Sequence, residues 1–334
     1  VLTSINPTPV WTNVTAQCFF NTNASGAFVR ASNGNLIAVG RDDELMLTNS
    51  KGYSSHIASA ILSKNFDGGI FTPEGSSYFT LGYAYTNAQD RRNLFNSTAG
   101  SNYDQTAAFD RQNPDASRGF YESRHNITFS GNFREKFFGD LATSLGFTFV
   151  ARSGRPYSLT FSGGGVFNDS ASGNNNALLY IPSGPTDPNI SPTSNMAAVQ
   201  ALADFASDLE CAEDYLGKSI KRNTCTNDWY FDLDLRFSQE LPGPSSLTGI
   251  GDLRDKITLY AMFDNFLNFL DNDWNVQRRR QFAGLQDVAS ISGIDAQGRY
   301  IITGFNGEDD FKADNFINTS SSVWKIKVGV SYKF

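Results

Sequence analysis

Long apolar runs are missing from this sequence. Nowhere do 18 apolar residues follow one another, which excludes a helical membrane span. Histidine is nearly absent: only His56 and His125 occur, too far apart in sequence to suggest a metal pair. Ser153 and many other serines are present, but no spacing sets a serine and a polar orienter beside either histidine, so no enzymatic activity is expected. Neither a phosphate-binding glycine loop nor a Cys-x-x-Cys pair occurs. Basic residues are outnumbered, 27 against 34 acids, and a net charge of −7 argues against nucleic acid as a partner. Residues 1–30 hold no basic start followed by an apolar core. A secreted or outer-membrane chain needs such a leader, so the sequence is expected to begin after processing or inside a longer protein.

Aromatic residues are plentiful instead, at 13% of the chain with 28 phenylalanines, while mean hydropathy is −0.33. That combination fits apolarity hidden in alternation. Residues 324–334 alternate throughout: Trp324, Ile326, Val328, Val330, Tyr332 and Phe334 fall on one side, and Lys325, Lys327, Gly329, Ser331 and Lys333 on the other. Many outer-membrane β-barrels end in such a strand with an aromatic last residue, so the first set is the expected insertion signal. Phe231, Leu233, Leu235 and Phe237 alternate with Asp232, Asp234, Arg236 and Ser238. Similar runs start at Phe79, Ile127, Leu145 and Ile257, the third broken by Val150 on its polar side. An edge strand of a soluble sandwich also alternates. The greasy side here is dense in Phe and Leu and flanked by Tyr53, Tyr121, Trp229 and Trp324, the pattern of an apolar band between aromatic girdles.

The fold class expected is all-β: a transmembrane antiparallel β-barrel with long extracellular loops, placed in a Gram-negative outer membrane among lipid and lipopolysaccharide. Long strands are expected at 52–65, 76–87, 121–134, 143–161, 228–240, 256–268 and 322–334. The connectors 66–75, 135–142 and 241–255 are short or moderate; 88–120, 162–227 and 269–321 are long and polar. Segregation of loop length to one side is a membrane-barrel habit. Residues 1–50 read as an outer loop region with short extended pieces at 27–31, 34–39 and 44–48, and 51–334 as barrel strands and loops. A projecting hairpin is expected over 285–305 and a weak helix over 195–209. Seven strands is an odd number, whereas closed antiparallel barrels need an even one, so the chain reads as part of a larger barrel.

Several stretches, in order, resemble one family. They are Asn49-Ser50-Lys51-Gly52-Tyr53-Ser54, Ser153-Gly154-Arg155-Pro156-Tyr157-Ser158, a loop with Cys211, Tyr215, Gly217, Arg222 and Asn223, then 232–242, Phe263-Asp264-Asn265-Phe266-Leu267-Asn268, and Ser322-Val323-Trp324 leading to Tyr332-Lys333-Phe334. Together they resemble the C-terminal barrel portion of Oar-like TonB-dependent receptors, the branch with a carboxypeptidase-regulatory-like domain. The resemblance spans roughly residues 49–334. It implies a 22-stranded barrel, an N-terminal plug and import of an extracellular nutrient energised by the TonB complex. This sequence contains no plug and no TonB-contacting segment, so the plug and remaining strands are expected from elsewhere. An autonomous porin or an adhesive, structural barrel are the alternatives.

Arg134, Arg152, Asp232, Asp234, Arg236, Lys325 and Lys327 are expected on the lumen side, facing a plug or simply solvated. Tyr103, Phe109, Tyr215, Trp274 and Phe311 either form a ligand vestibule or pack among the loops. Asp271-Asn272-Asp273 and Glu308-Asp309-Asp310 are oxygen-rich but match no Ca²⁺ loop pattern, and solvation is the better reading; no cofactor is expected. Arg278-Arg279-Arg280 pairs with these acids or meets lipopolysaccharide phosphates. Cys211 and Cys225 share a polar segment, and a bridge between them would imply an oxidising compartment and stabilise by roughly 3 kcal/mol. Cys18 is left over, free or paired outside the segment.

Overall fold

A computed structural model describes residues 52–94, 96–109, 113–162, 175–249, 255–280 and 284–334, with 23, 25, 27 and 32. Cys18 and, residue 27 apart, the short extended pieces expected at 27–31, 34–39 and 44–48 lie outside the described residues. The long strands are β1 (Ser54–Asp67), β2 (Ser76–Asp90), β3 (His125–Phe138), β4 (Leu141–Arg152), β5 (Pro156–Ser162), β6 (Tyr230–Pro242), β7 (Lys256–Asp264), β8 (Leu285–Ile294), β9 (Tyr300–Phe305) and β10 (Lys325–Lys333). Among the described residues one helix exceeds two turns, α1 (Met196–Ser207).

Seven strands form one antiparallel sheet in the order β1-β2-β3-β4-β6-β7-β10, with Ser117–Arg118 added on β2. Among the described residues β1 and β10 are its edges, and the sheet does not close into a barrel. The fold is therefore all-β and antiparallel in its main sheet.

The expected strand at 143–161 is two strands. Pro156 opens β5, as suits a residue with no N–H for a ladder. Just before it, Gly154 presses against the Asn227 backbone, where a Cβ would sit 2.1 Å from the carbonyl oxygen. There the chain leaves the sheet. The strand expected at 256–268 stops at Asp264, because Asn265 is left-handed (φ 56°) and caps a short helix, Phe266–Leu270. The last strand starts at Lys325 rather than 322, after a helical turn at Thr319–Ser322. β3 starts at His125 rather than 121 and runs on to Phe138.

Register puts like with like. Leu81, Phe129, Phe149 and Leu233 lie in one row across β2, β3, β4 and β6, and Leu235, Phe263 and Ile326 in another across β6, β7 and β10. Gly131 lets Phe79 and Phe147 approach across it, since a Cβ there would meet both rings at 2.8 Å. This apolar face is uncovered: Leu62 is 69% exposed and Val328 78%, and Leu81, Leu145, Phe231 and Leu259 are exposed as well.

The buried core lies in the long connectors. β9, β8, β5 and Cys225–Thr226 form a four-stranded sheet, with β5 and β8 parallel (Ser158 beside Leu285, Ser162 beside Ser290). α1 lies where a helix was expected. Asn195 caps it by accepting the Ala198 N–H, and Ala198, Val199, Leu202, Ala203, Phe205 and Ala206 are buried. All but Ala203 join Leu159, Phe161, Tyr180, Val288, Tyr300 and Ile302 in one core. The hairpin expected to project over 285–305 exists as β8 and β9, but it is packed into this loop domain, because β8 pairs with β5 and Ile302 is fully buried.

Candidate functional site

The polar face of the main sheet and the loop domain above it hold the residues singled out from sequence. Arg134, Arg152, Asp232, Asp234, Arg236, Lys325 and Lys327 all share the polar face by register. Glu240 meets Arg134 at 3.5 Å and Lys256 at 2.8 Å. Lys327 pairs with Asp264 at 3.0 Å. The Arg152 guanidinium lies 4.9 Å from the Tyr230 ring centroid, and that of Arg236 5.9 Å from Tyr260. Mixed signs are thus largely settled within the face.

Asp232 and Asp234 serve a knot of asparagines at the loop end of β6 and β7. Asp234 accepts the Asn265 N–H at 2.9 Å, and Asp232 accepts from the Asn275 side chain at 3.3 Å. Asn265 donates on to the Ser322 carbonyl at 2.9 Å, and Asn268 to the Trp274 carbonyl at 2.9 Å. Short side-chain amides that tolerate left-handed backbone suit such a corner, and Asn265 and Asn275 both have positive φ. The Phe263–Asn268 motif is therefore a clasp between three chain segments.

Arg222 fastens the loop domain to the sheet. It is 3% exposed, ion-paired with Asp90, and donates to the Asp90 carbonyl at 2.7 Å and to Asn93 at 2.6 Å. Asn223 accepts from and donates to the Ser158 hydroxyl, and donates to the Arg118 carbonyl at 2.7 Å. Cys211 and Cys225 are bonded, with Cα atoms 5.1 Å apart, joining the end of α1's connection to the strand beside β5. Glu122, which the sequence did not single out, is buried and accepts from Arg118 (2.6 Å), Arg124 (3.0 Å) and the Ala88 N–H (2.6 Å). Asp187 is equally buried under Tyr180, whose hydroxyl reaches both its oxygens at 3.0 Å. Burial pushes the Tyr180 and Tyr300 hydroxyls well above their usual range, and their rings stack at 4.6 Å. Glu122 draws the Ala88 N–H from β2, whereas Asp187 is held locally by Tyr180, Ser183 and Asn189.

The loop aromatics divide. Phe109, Tyr215 and Phe311 pack against the core, Tyr103 lies under Arg92, and Trp274 is exposed. Packing among loops, not a shared vestibule, describes the first four. The arginine triplet divides as well. Arg280 is 8% exposed and sandwiched between Tyr157 (4.9 Å) and Phe311 (3.7 Å), while Arg278 and Arg279 are exposed. Burial pushes the Tyr157 hydroxyl up, against the pull of that guanidinium. Asp271 accepts the Asp273 N–H and Glu308 pairs with Lys312. Among the described residues no three His, Cys, Asp or Glu side chains gather around a metal-sized space. Ser153 accepts the His125 N–H through its hydroxyl, whereas the imidazole bonds the Tyr83 hydroxyl at 2.9 Å. No protein-family model, curated protein or solved structure matches the chain.

Proposed function

We propose that the chain is the C-terminal barrel portion of a TonB-dependent outer-membrane receptor that takes up an extracellular nutrient. One observation carries the reading: seven long strands leave their apolar face bare while the buried core sits in the connectors. In water such a face would be a severe aggregation liability; against hydrocarbon it is the expected exterior. Aromatic residues mark both ends of that face. Tyr83, His125 and Trp229 cluster near the loop end, with Trp324 further along, and Phe66, Phe71, Phe137 and Tyr332 lie near the short turns. Residues 324–332 make nine positions of strand, within the roughly 9–11 that cross a bilayer when tilted. The polar face then lines the interior, beside the plug and the missing strands. The remaining features of the reading, TonB and a nutrient, rest on the family resemblance.

A structural or adhesive barrel is the second reading, favoured by the compactness of the loop domain, which fills with side chains rather than opening as a vestibule. Fractionation and uptake separate these. The native protein is expected in the outer-membrane fraction, with heat-modifiable migration, and ligand uptake is expected to stop when TonB is removed. Recovery in a soluble fraction would overturn both readings. Membrane location with TonB-independent behaviour would leave the second.

A further inference from the structure

Resting on the membrane reading above, we propose that the ribbon of Arg278–Arg279 and Phe316–Ile317 forms a docking collar for phosphate-bearing lipid headgroups. The ribbon is antiparallel, with Arg278 opposite Ile317 and Arg279 opposite Phe316. Opposed residues share a face, so each face presents one guanidinium beside one apolar side chain. All four are exposed. Neither arginine has an ion pair among the described residues; of the acids nearest in sequence, Asp271 accepts the Asp273 N–H, Asp314 accepts the Gln286 side-chain amide and Glu308 pairs with Lys312.

The ribbon is fixed at the rim of the bare sheet face. Gln277 donates its N–H to the Ser322 hydroxyl at 2.9 Å, and Asn318 donates its N–H to the Gln277 carbonyl at 2.8 Å. From Ser322 the chain enters Trp324, whose ring meets Phe269 at 5.3 Å, and Phe269 meets Phe263 of the apolar face at 5.9 Å. Leu270, Trp274 and Val323 are exposed alongside. Apolar surface, tryptophan at its margin and unpaired guanidinium groups just beyond match the cross-section of a lipid leaflet: acyl chain, interface, phosphate. Guanidinium suits phosphate because its planar fork can bond two oxygens at once.

The test uses the detergent-solubilised chain titrated with brominated lipids in mixed micelles, read by tryptophan quenching. Micelles of phosphatidylcholine alone are compared with micelles containing phosphatidylglycerol or lipid A. The wild type is expected to prefer the net-anionic lipids, whose phosphates are not balanced by a choline, by roughly twenty-five-fold, about fivefold per arginine, from ~1 kcal/mol per basic residue at an anionic surface. The double variant Arg278→Gln/Arg279→Gln should lose that preference while quenching by phosphatidylcholine persists. The double variant Arg278→Lys/Arg279→Lys should keep most of it. An unchanged preference in the glutamine variant overturns the collar, as does equal displacement by inorganic phosphate or by polyglutamate. Absence of quenching by every lipid in every variant overturns the membrane reading instead.

Discussion

Arg222 is the residue on which the docking of the loop domain depends most. Its charge is buried and its forked donors hold Asp90 and Asn93 across 129 to 132 positions of sequence. Arg222→Met leaves Asp90 without its partner and is expected to cost about 3–5 kcal/mol, the range for breaking a buried pair from one side. The check is the urea midpoint together with protease cleavage within 175–227. Asp295 makes a different prediction. Desolvation pushes its carboxyl up, but the Arg299 N–H and guanidinium, the Ser191 side chain and the Gln297 N–H outweigh this and hold it at about 2. A depressed carboxyl adds stability above its unfolded value, about 3.9, and that contribution fades as pH falls through about 2. Asp295→Asn should therefore flatten the acid dependence of loop-domain melting between about pH 4 and 2, with no change in slope above that window. The polarity of Asp232, Asp234 and Arg236 was legible from alternation alone. The partners of the two aspartates were not, because Asn265 and Asn275 come to them only after the chain has turned through left-handed corners.

At the scale of elements, the break between β4 and β5 is the most informative. One strand was expected through 143–161, yet the backbone contact at Gly154 diverts the chain into another sheet. Gly154→Ala forces a methyl group against the Asn227 carbonyl and is expected to destabilise by about 1–3 kcal/mol, read as a lowered melting temperature. Replacing both Cys211 and Cys225 by serine should cost about 3 kcal/mol for a loop of this length, and the loss should fall on protection of the loop domain from proteolysis. Strands whose two faces differ, such as β6, β7 and β10, were legible to within a few residues. The loop domain was legible only in fragments, as a helix and a hairpin. β5 is buried on both sides and pairs with β8 over a hundred residues away, so neither alternation nor local turns reported that pairing.

For the whole molecule, the bare face makes a prediction of sign. Leu259, at the middle of β7, faces outward. Leu259→Arg should be nearly neutral, within about 0.5 kcal/mol, if that face meets water, and should cost about 2–4 kcal/mol if it meets hydrocarbon. Unfolding of the variant from bilayers distinguishes the two. The parallel pairing of β5 with β8 bears on order in time. These strands are separated by more than 120 residues, and β6 and β7 of the main sheet lie between them along the chain. Closing so large a loop is entropically costly and tends to be slow. The core of the loop domain cannot be completed until β6 and β7, which lie between its two parallel strands, have been synthesised, so that core is expected to be a late event.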